Sequence, residues 1–184
     1  MHSITKAAAI GGMLIAPLLL SATPAAAAPL PDKAFQIKAT DFDNVCARAE
    51  LKAPYRIVSA RCDSTERGKN WTYDKRMQQI RNQDPALAGK CLSTADSNGV
   101  YMKPCDPSLL FGDPNQQFEY KSRESDSSGE IMILAANDGD RWIGVAQGDT
   151  GTFWYVSSRF GGPAQGGSID PSRNDAIGFV PPAS

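Results

Sequence analysis

Histidine is almost absent from this sequence, since the only one among its 184 residues is His2. His2 lies in an amino-terminal segment that we expect to be removed. The mature chain then has no imidazole for a Ser-His or Cys-His nucleophile, or for a metal site. The densest acidic stretch, residues 137–140, is explained by a hairpin turn, and no other carboxylates stand out as an acid-base pair. We therefore predict that the protein is not an enzyme and uses no metal or other cofactor.

An excess of either charge is also missing. The sequence has 20 Asp and Glu against 19 Lys and Arg, and loss of Lys6 with the amino terminus leaves 20 against 18, a net charge of −2. Charges of both signs are interspersed, which is not the pattern of a protein that binds nucleic acid or anionic lipid. No second apolar run follows the amino-terminal one, so we predict neither a nucleic-acid partner nor a membrane span.

The amino terminus has the three parts of a secretory signal peptide. Lys6 precedes an apolar run over residues 7–20, and small residues follow over 21–28. The run contains two glycines and Pro17 and is shorter than the ~18–20 residues that a spanning helix needs. We predict cleavage after Ala27 or Ala28, in preference to an uncleaved membrane anchor. The product would be secreted, with one domain over residues 29–180 and a flexible tail over residues 181–184.

Only four cysteines are present, and in an exported chain they imply two disulfides with three possible connectivities. Cys46 and Cys91 are 45 residues apart, and Cys62 and Cys105 are 43 apart, so the two pairs align as copies of one unit. This alignment selects the pairing of Cys46 with Cys62 and of Cys91 with Cys105.

Long helical patterns are lacking, whereas short strand-like runs between turn-forming residues recur along the chain. Trp142 and Ser157 continue the spacing of the cysteine pair 91 and 105 into a third unit, with Gly151 in the place of Gly99. Three units of four strands are the count of an all-β fold, the β-trefoil. The predicted strands are 35–39, 44–49, 56–61, 70–73, 77–82, 90–94, 100–105, 117–120, 130–135, 142–146, 152–158 and a last one near 168–169, for which 177–180 competes.

Three motifs of the second unit resemble the signature of the ricin-type β-trefoil lectins. They are Lys90-Cys91-Leu92, the hairpin strand that ends at Cys105, and Asn115-Gln116-Gln117-Phe118. In that family the large residue of a Gln-x-Trp motif fills the shared core. The resemblance assigns this core position to Trp71, Phe118 and Ile169.

The resemblance also implies where a sugar would bind. The family's sugar-binding Asp corresponds to Arg48, Ser93 and Gly144, none of which is a carboxylate. The family's stacking aromatic corresponds to Ala60, Lys103 and Tyr155, and an Asn-Gln pair completes the site. The candidate carbohydrate-binding residues are therefore Asn115, Gln116 and Tyr155. Strand alternation places Phe153 and Tyr155 on one face and Trp154 on the other, and either face could be the exposed one.

These patterns favour a secreted, non-catalytic binding protein that engages a glycan or glycoconjugate through a degenerate ricin-type site. The alternative is a trefoil with a protein partner. In lacking the full sugar site, the chain is similar to the cell-binding subunits of cytolethal distending toxins, and a trefoil protease inhibitor of the Kunitz type is a further possibility. The identity of the ligand and the oligomeric state are left open.

Overall fold

A computed structural model describes residues 29–95, 99–108, 112–125, 129–137, 141–148, 151–158, 173–174 and 176–183. The predicted signal peptide lies outside these residues. No α-helix occurs in the described ranges, and none of their elements is a helix that could cross a membrane. The strands are β1 Gln36–Ala39, β2 Val45–Ala49, β3 Ile57–Arg61, β4 Trp71–Asp74, β5 Gln79–Asn82, β6 Lys90–Ser93, β7 Tyr101–Pro104, β8 Phe118–Ser125, β9 Gly129–Ala136, β10 Arg141–Gly148, β11 Gly151–Ser158, β12 Arg173–Asn174 and β13 Ile177–Val180.

The predicted all-β architecture is confirmed, because eleven of the predicted strands overlap the observed ones and Ile177–Val180 forms the last. Single 3-10 turns occur at Pro85–Leu87 and Pro114–Gln116. In each turn a preceding aspartate, Asp84 or Asp113, caps the first backbone N–H groups, and proline begins the turn. The local sequence therefore determines these connections before any tertiary contact does.

Antiparallel pairing repeats three times around the molecule. The hairpins are β2–β3, β6–β7 and β10–β11. The last strand of each unit pairs with the first strand of the next one, as β4–β5, β8–β9 and β13–β1. The third of these pairs joins the two ends of the domain. The strands form one sheet of nine and one of four strands. Backbone hydrogen bonds between Phe35 and Trp71, and from Phe118 to the carbonyl of Gln78, also join the first and last strands of the first two units, as a barrel requires.

Equivalent residues of the three units meet in this core. Trp71, Phe118 and Ile177 each have 0% exposure. Their register partners on the adjacent strands are Asn82, Ala136 and Ala39, each the last residue of its strand, β5, β9 or β1. Burying three such side chains stabilises the fold by roughly 2 kcal/mol each.

In the described part of the chain, Ile177 has the third core position, for which the resemblance predicts Ile169. Residue 169 itself lies outside the described ranges. The third unit is longer than the other two: Phe118 follows Trp71 by 47 residues, and Ile177 follows Phe118 by 59. Spacing taken from the first two units therefore points to a residue too early in the chain.

Both predicted disulfides form. Cys46 bonds to Cys62 and Cys91 to Cys105, with Cα–Cα distances of 5.0 and 4.9 Å. Each bond links the start of a hairpin to the residue just after it, and each loop closure is worth about 3 kcal/mol in the chain-entropy account. A buried glutamine amide oxygen, from Gln36 or Gln79, lies 3.5 or 3.4 Å from the first sulfur of each pair. The first two units thus share their internal polar contacts as well as their strands.

Candidate functional site

The predicted sugar ligand Gln116 is used by the fold. Its side chain is buried, with 4% exposure. The amide Nε2 donates to the carbonyl of Pro104 at 2.9 Å, and Oε1 accepts from the backbone N–H of Asp106 at 2.9 Å. These two bonds hold the chain on either side of Cys105. Both polar atoms of Gln116 therefore already have protein partners.

In the first unit, Lys69 makes hydrogen bonds that correspond to those of Gln116. It lies two residues before Trp71, as Gln116 lies two residues before Phe118. Its ammonium donates to the carbonyls of Arg61 and Cys62 at 3.0 and 2.9 Å, and also to that of Ser64. Burial lowers the pKa of Lys69. Lys69 is not among the residues predicted from the sequence, although its place two residues before the core aromatic is a signal for this role.

Asn115 is half-buried, and both polar atoms of its side-chain amide have hydrogen-bond partners within the protein. Its Oδ1 accepts from Arg141 Nη1 at 2.8 Å, and its Nδ2 donates to Asp113 Oδ1 at 2.8 Å. Arg141 donates to the carbonyl of Thr94 as well, at 3.2 Å. The guanidinium of the third unit thus ties together two segments of the second. A ligand that used the Asn115 amide would have to displace these contacts.

The three positions that correspond to the sugar-binding Asp offer no free acceptor of that kind. Ser93 is fully buried, and its hydroxyl accepts from the backbone N–H of Ala95 at 3.2 Å. Arg48 Nε lies 3.4 Å from a carboxylate oxygen of Glu66. Gly144 has no side chain and is the register partner of Tyr155.

Tyr155 and Trp154 both belong to the interior, with exposures of 2% and 4%. Trp154 opposes Val145 and joins the main core. A ring as enclosed as that of Tyr155 presents no face for a sugar in this structure. Sugar binding by Asn115, Gln116 and Tyr155 stays a prediction, and their contacts define what such binding would have to change.

The hairpin register corrects the placing of Tyr155. Cys46 pairs with Ala60 and Cys91 with Lys103, whereas Trp142, their counterpart, pairs with Ser157. The position equivalent to Ala60 and Lys103 is therefore residue 157 and not residue 155. The third hairpin is longer than the second, and matching Gly151 to Gly99 shifted the alignment by two residues.

The outer face of the second hairpin carries a basic and aromatic group in which Arg56 is exposed and Tyr101 and Lys103 are half-buried. Arg56 precedes β3 and forms a bridge with Tyr101 of β7. Its guanidinium carbon lies 5.9 Å from the centroid of the Tyr101 ring, within cation–π range. Lys103 follows two residues later on the same strand, and alternation places it on the same face as Tyr101. We call Arg56, Tyr101 and Lys103 the cationic face.

A polar cleft of about 330 Å³ is lined by residues 65–70 and residues 82–85. Arg67 spans it, with its Nε and Nη2 donating to the two carboxylate oxygens of Asp84 at 2.7 and 2.6 Å. The hydrogen bond from Arg67 is the main reason that the pKa of Asp84 is lowered. Within the described ranges, no three His, Cys, Asp or Glu side chains are grouped to hold a metal ion.

The closed barrel, the threefold strand pairing and the disulfide-linked hairpins define a β-trefoil binding domain. The chain matches the family model of the Ricin-type beta-trefoil lectin domain over residues 33–152 and belongs to that family. The domain that characterises the family is a binding domain. This result confirms the resemblance found in the sequence motifs.

Solved structures with this fold include two of bacterial toxins. One is the cytolethal distending toxin of Actinobacillus actinomycetemcomitans, with 15% identity, a TM-score of 0.53 and coverage of 81% of this chain and 91% of that one. The other is the Haemophilus ducreyi cytolethal distending toxin, with 18% identity, a TM-score of 0.53 and coverage of 92% and 98%. At these identities the likeness concerns the fold alone. No curated protein sequence matches the chain significantly.

Proposed function

We propose that the protein is a secreted, non-catalytic lectin-like protein whose ligand is a carbohydrate. Its membership in the ricin-type trefoil family, over residues 33–152, is the observation that carries this proposal. The strands and disulfides of two units keep the family's arrangement, while the residues at its sugar-binding positions have changed. The protein therefore keeps the binding scaffold and uses different contacts from those of a typical member.

A neutral sugar is expected to bind weakly. Such a ligand needs directed hydrogen bonds to offset the loss of its hydration. Arg48, Ser93 and Gly144 supply no free carboxylate for this purpose, and the amides of Asn115 and Gln116 are already bonded within the fold.

A glycan array followed by titration with the soluble sugars tests the proposal. We expect at least one glycan class to bind the oxidised, folded protein. Asn115→Ala examines the predicted sugar residue, and Asn137→Ala is its matched control, because Asn137 is exposed and its side-chain amide donates to Gln78 Oε1. Absence of binding to every glycan at millimolar concentration, with a cooperative unfolding transition intact, would remove the proposal.

Secretion is supported by the predicted signal peptide over residues 1–28 and by the two disulfides, which persist in oxidising compartments. Mass spectrometry of the protein from the culture medium should find a chain that begins at Ala28 or Pro29. A cell-retained protein that still carries its amino-terminal residues would contradict this part of the proposal.

A protein partner is the second candidate function. It is favoured by the occupied state of Asn115, whose amide is held by Asp113 and Arg141 where a sugar would otherwise bond. Affinity capture from the secretions of the producing organism should then yield one stoichiometric protein that resists competition by soluble sugars. If a soluble sugar releases the captured protein, the result would instead favour the lectin function.

A further inference from the structure

We propose that the cationic face of Arg56, Tyr101 and Lys103 binds an anionic saccharide, that is, a sugar that carries a carboxylate or sulfate group. This inference rests on the proposed carbohydrate-binding function and specifies its ligand and its location. The face consists of two residues of the second hairpin, Tyr101 and Lys103, and of Arg56, which pairs with that hairpin.

The three side chains are brought together by backbone pairing. Ile57 N–H donates to the carbonyl of Val100, and Met102 N–H donates to the carbonyl of Tyr55, each at 2.9 Å. These two bonds flank the bridge between Arg56 and Tyr101, so their side chains leave the same face. Lys103 is two residues further along β7, about 7 Å away.

The Tyr101 ring lies between the Gly99 backbone and the Arg56 guanidinium, within cation–π range of the latter. Gly99 lies beneath the ring, because a Cβ at Gly99 would come within 3.3 Å of Tyr101 Cε2. The close backbone restricts the ring on that side, and the Arg56 guanidinium lies 5.9 Å from the ring centroid. A guanidinium that is positioned before binding loses less conformational entropy when it meets an anion.

The positive charges of this face are not neutralised by the protein. Within the described part of the chain, Arg56 and Lys103 form no ion pair and no side-chain hydrogen bond. Glu50 is the nearest acidic residue by backbone pairing, since its N–H donates to the Arg56 carbonyl, and its carboxylate is not ion-paired with Arg56. Six other cations are paired with carboxylates: Arg48, Arg61, Arg67, Lys75, Arg81 and Lys121.

Further positive charge lies beside the face. Lys90 Nζ is 4.5 Å from the centroid of the Tyr55 ring, and Lys52 is exposed in the turn that precedes Tyr55. Neither lysine is ion-paired among the described residues. In a chain with a formal net charge of −1, such a local group of unpaired cations attracts anions by charge complementarity. Donors without acceptors favour a ligand that brings its own carboxylate or sulfate oxygens.

Three soluble probes test the inference by calorimetric titration: a sulfated heparin hexasaccharide, a trimer of galacturonic acid and a neutral galactose oligosaccharide. We expect the unaltered protein to bind at least one anionic probe more tightly than the neutral one, and less tightly as salt is raised. The double variant Arg56→Gln with Lys103→Gln should bind that probe about tenfold more weakly, since it loses charge-assisted hydrogen bonds.

The matched control is Lys33→Gln with Arg76→Gln, which removes the same charge at two exposed, unpaired cations elsewhere. Its affinity should stay within about twofold of the unaltered protein, because its charges do not face the ligand. Equal losses in the two double variants would overturn the inference, and so would no loss in either. Unfolding midpoints of both variants verify that the fold is kept, which is expected because all four side chains contact solvent.

The outcomes separate this inference from the proposed function. Binding of neutral glycans without binding of either anionic probe overturns the inference and leaves the lectin function standing. Binding of poly-glutamate or of phosphatidylserine vesicles as tightly as the anionic sugars, lost in the same double variant, overturns the choice of a saccharide. Failure of every glycan, neutral or anionic, removes both.

Discussion

Two tyrosine hydroxyls join consecutive units of the barrel, and removing them should weaken its closure. Tyr73 Oη donates to the carbonyl of Phe118 at 3.1 Å, and Tyr120 Oη donates to that of Ile177 at 2.8 Å. Each tyrosine lies two residues after the core residue of its own unit and bonds to the core residue of the next. In the third unit this place is held by Phe179, whose ring packs edge-on against Phe35 and Tyr120.

Replacement of either tyrosine by phenylalanine removes one hydrogen bond and keeps the ring. A part-buried bond of this kind contributes about 1 kcal/mol, and a carbonyl left without its partner adds to the loss. We therefore expect Tyr73→Phe and Tyr120→Phe each to lower the free energy of unfolding by about 1 to 1.5 kcal/mol. Urea denaturation with the disulfides intact measures the change, with the slope unaltered.

Tyr55→Phe is the matched control, because the Tyr55 hydroxyl makes no hydrogen bond in the described structure. Its expected effect is within about 0.5 kcal/mol. If Tyr73→Phe and Tyr120→Phe are as mild as this control, the hydroxyls do not hold the units together and the reasoning is wrong.

The hydroxyls of Tyr73 and Tyr120 should also make the stability of the fold decrease at alkaline pH. Burial raises the pKa of both phenols, and for Tyr73 the Glu119 and Asp74 carboxylates add to the effect. The unfolded chain ionises near pH 10, while the folded protein keeps its phenolic protons to higher pH. Stability is therefore complete below about pH 10 and falls as the pH rises above it. The decline with pH should be shallower in the double Tyr→Phe variant, and an unchanged slope would contradict the assignment.

Two further predictions concern the second disulfide and two glycines with positive φ. Cys91→Ser with Cys105→Ser should cost about 3 kcal/mol, seen as a lower urea midpoint than that of the oxidised parent, and an unchanged midpoint would mean that the bond contributes nothing. Gly68→Ala should be more damaging than Gly89→Ala. Both glycines have positive φ, +86° and +74°, but only at Gly68 would the new Cβ lie 2.4 Å from the carbonyl oxygen of Ala49. Equal unfolding midpoints would refute this difference.

Most of the fold could be predicted from the sequence. The two cysteine pairs repeat at 45 and 43 residues, which predicts both the disulfides and the equivalence of the first two units. Short runs of β-branched and aromatic residues, bounded by turn formers, predict the strands to within a few residues. These features are local, because they depend on spacing, turn chemistry and alternation along one segment.

Strand pairing in the tertiary structure shows which residues of the third unit are equivalent to those of the first two, and sequence spacing could not. The third core position belongs to Ile177, since its strand pairs with β1 and places Ile177 opposite Ala39, and the third hairpin aligns Trp142 with Ser157. Counting residues from the earlier units cannot reveal a longer loop, whereas backbone hydrogen bonding permits one register.

The candidate site also depends on the tertiary structure. Arg56 and Tyr101 are 45 residues apart and meet only because the start of β3 pairs with β7. Arg141 reaches Asn115 from another unit for the same kind of reason. The sequence by itself determined the repeated strands and their disulfides, because those depend on neighbours along the chain. Packing decided which polar side chains remain available to a ligand, because folding brings some of them into hydrogen bonds or ion pairs within the protein and leaves others without such partners.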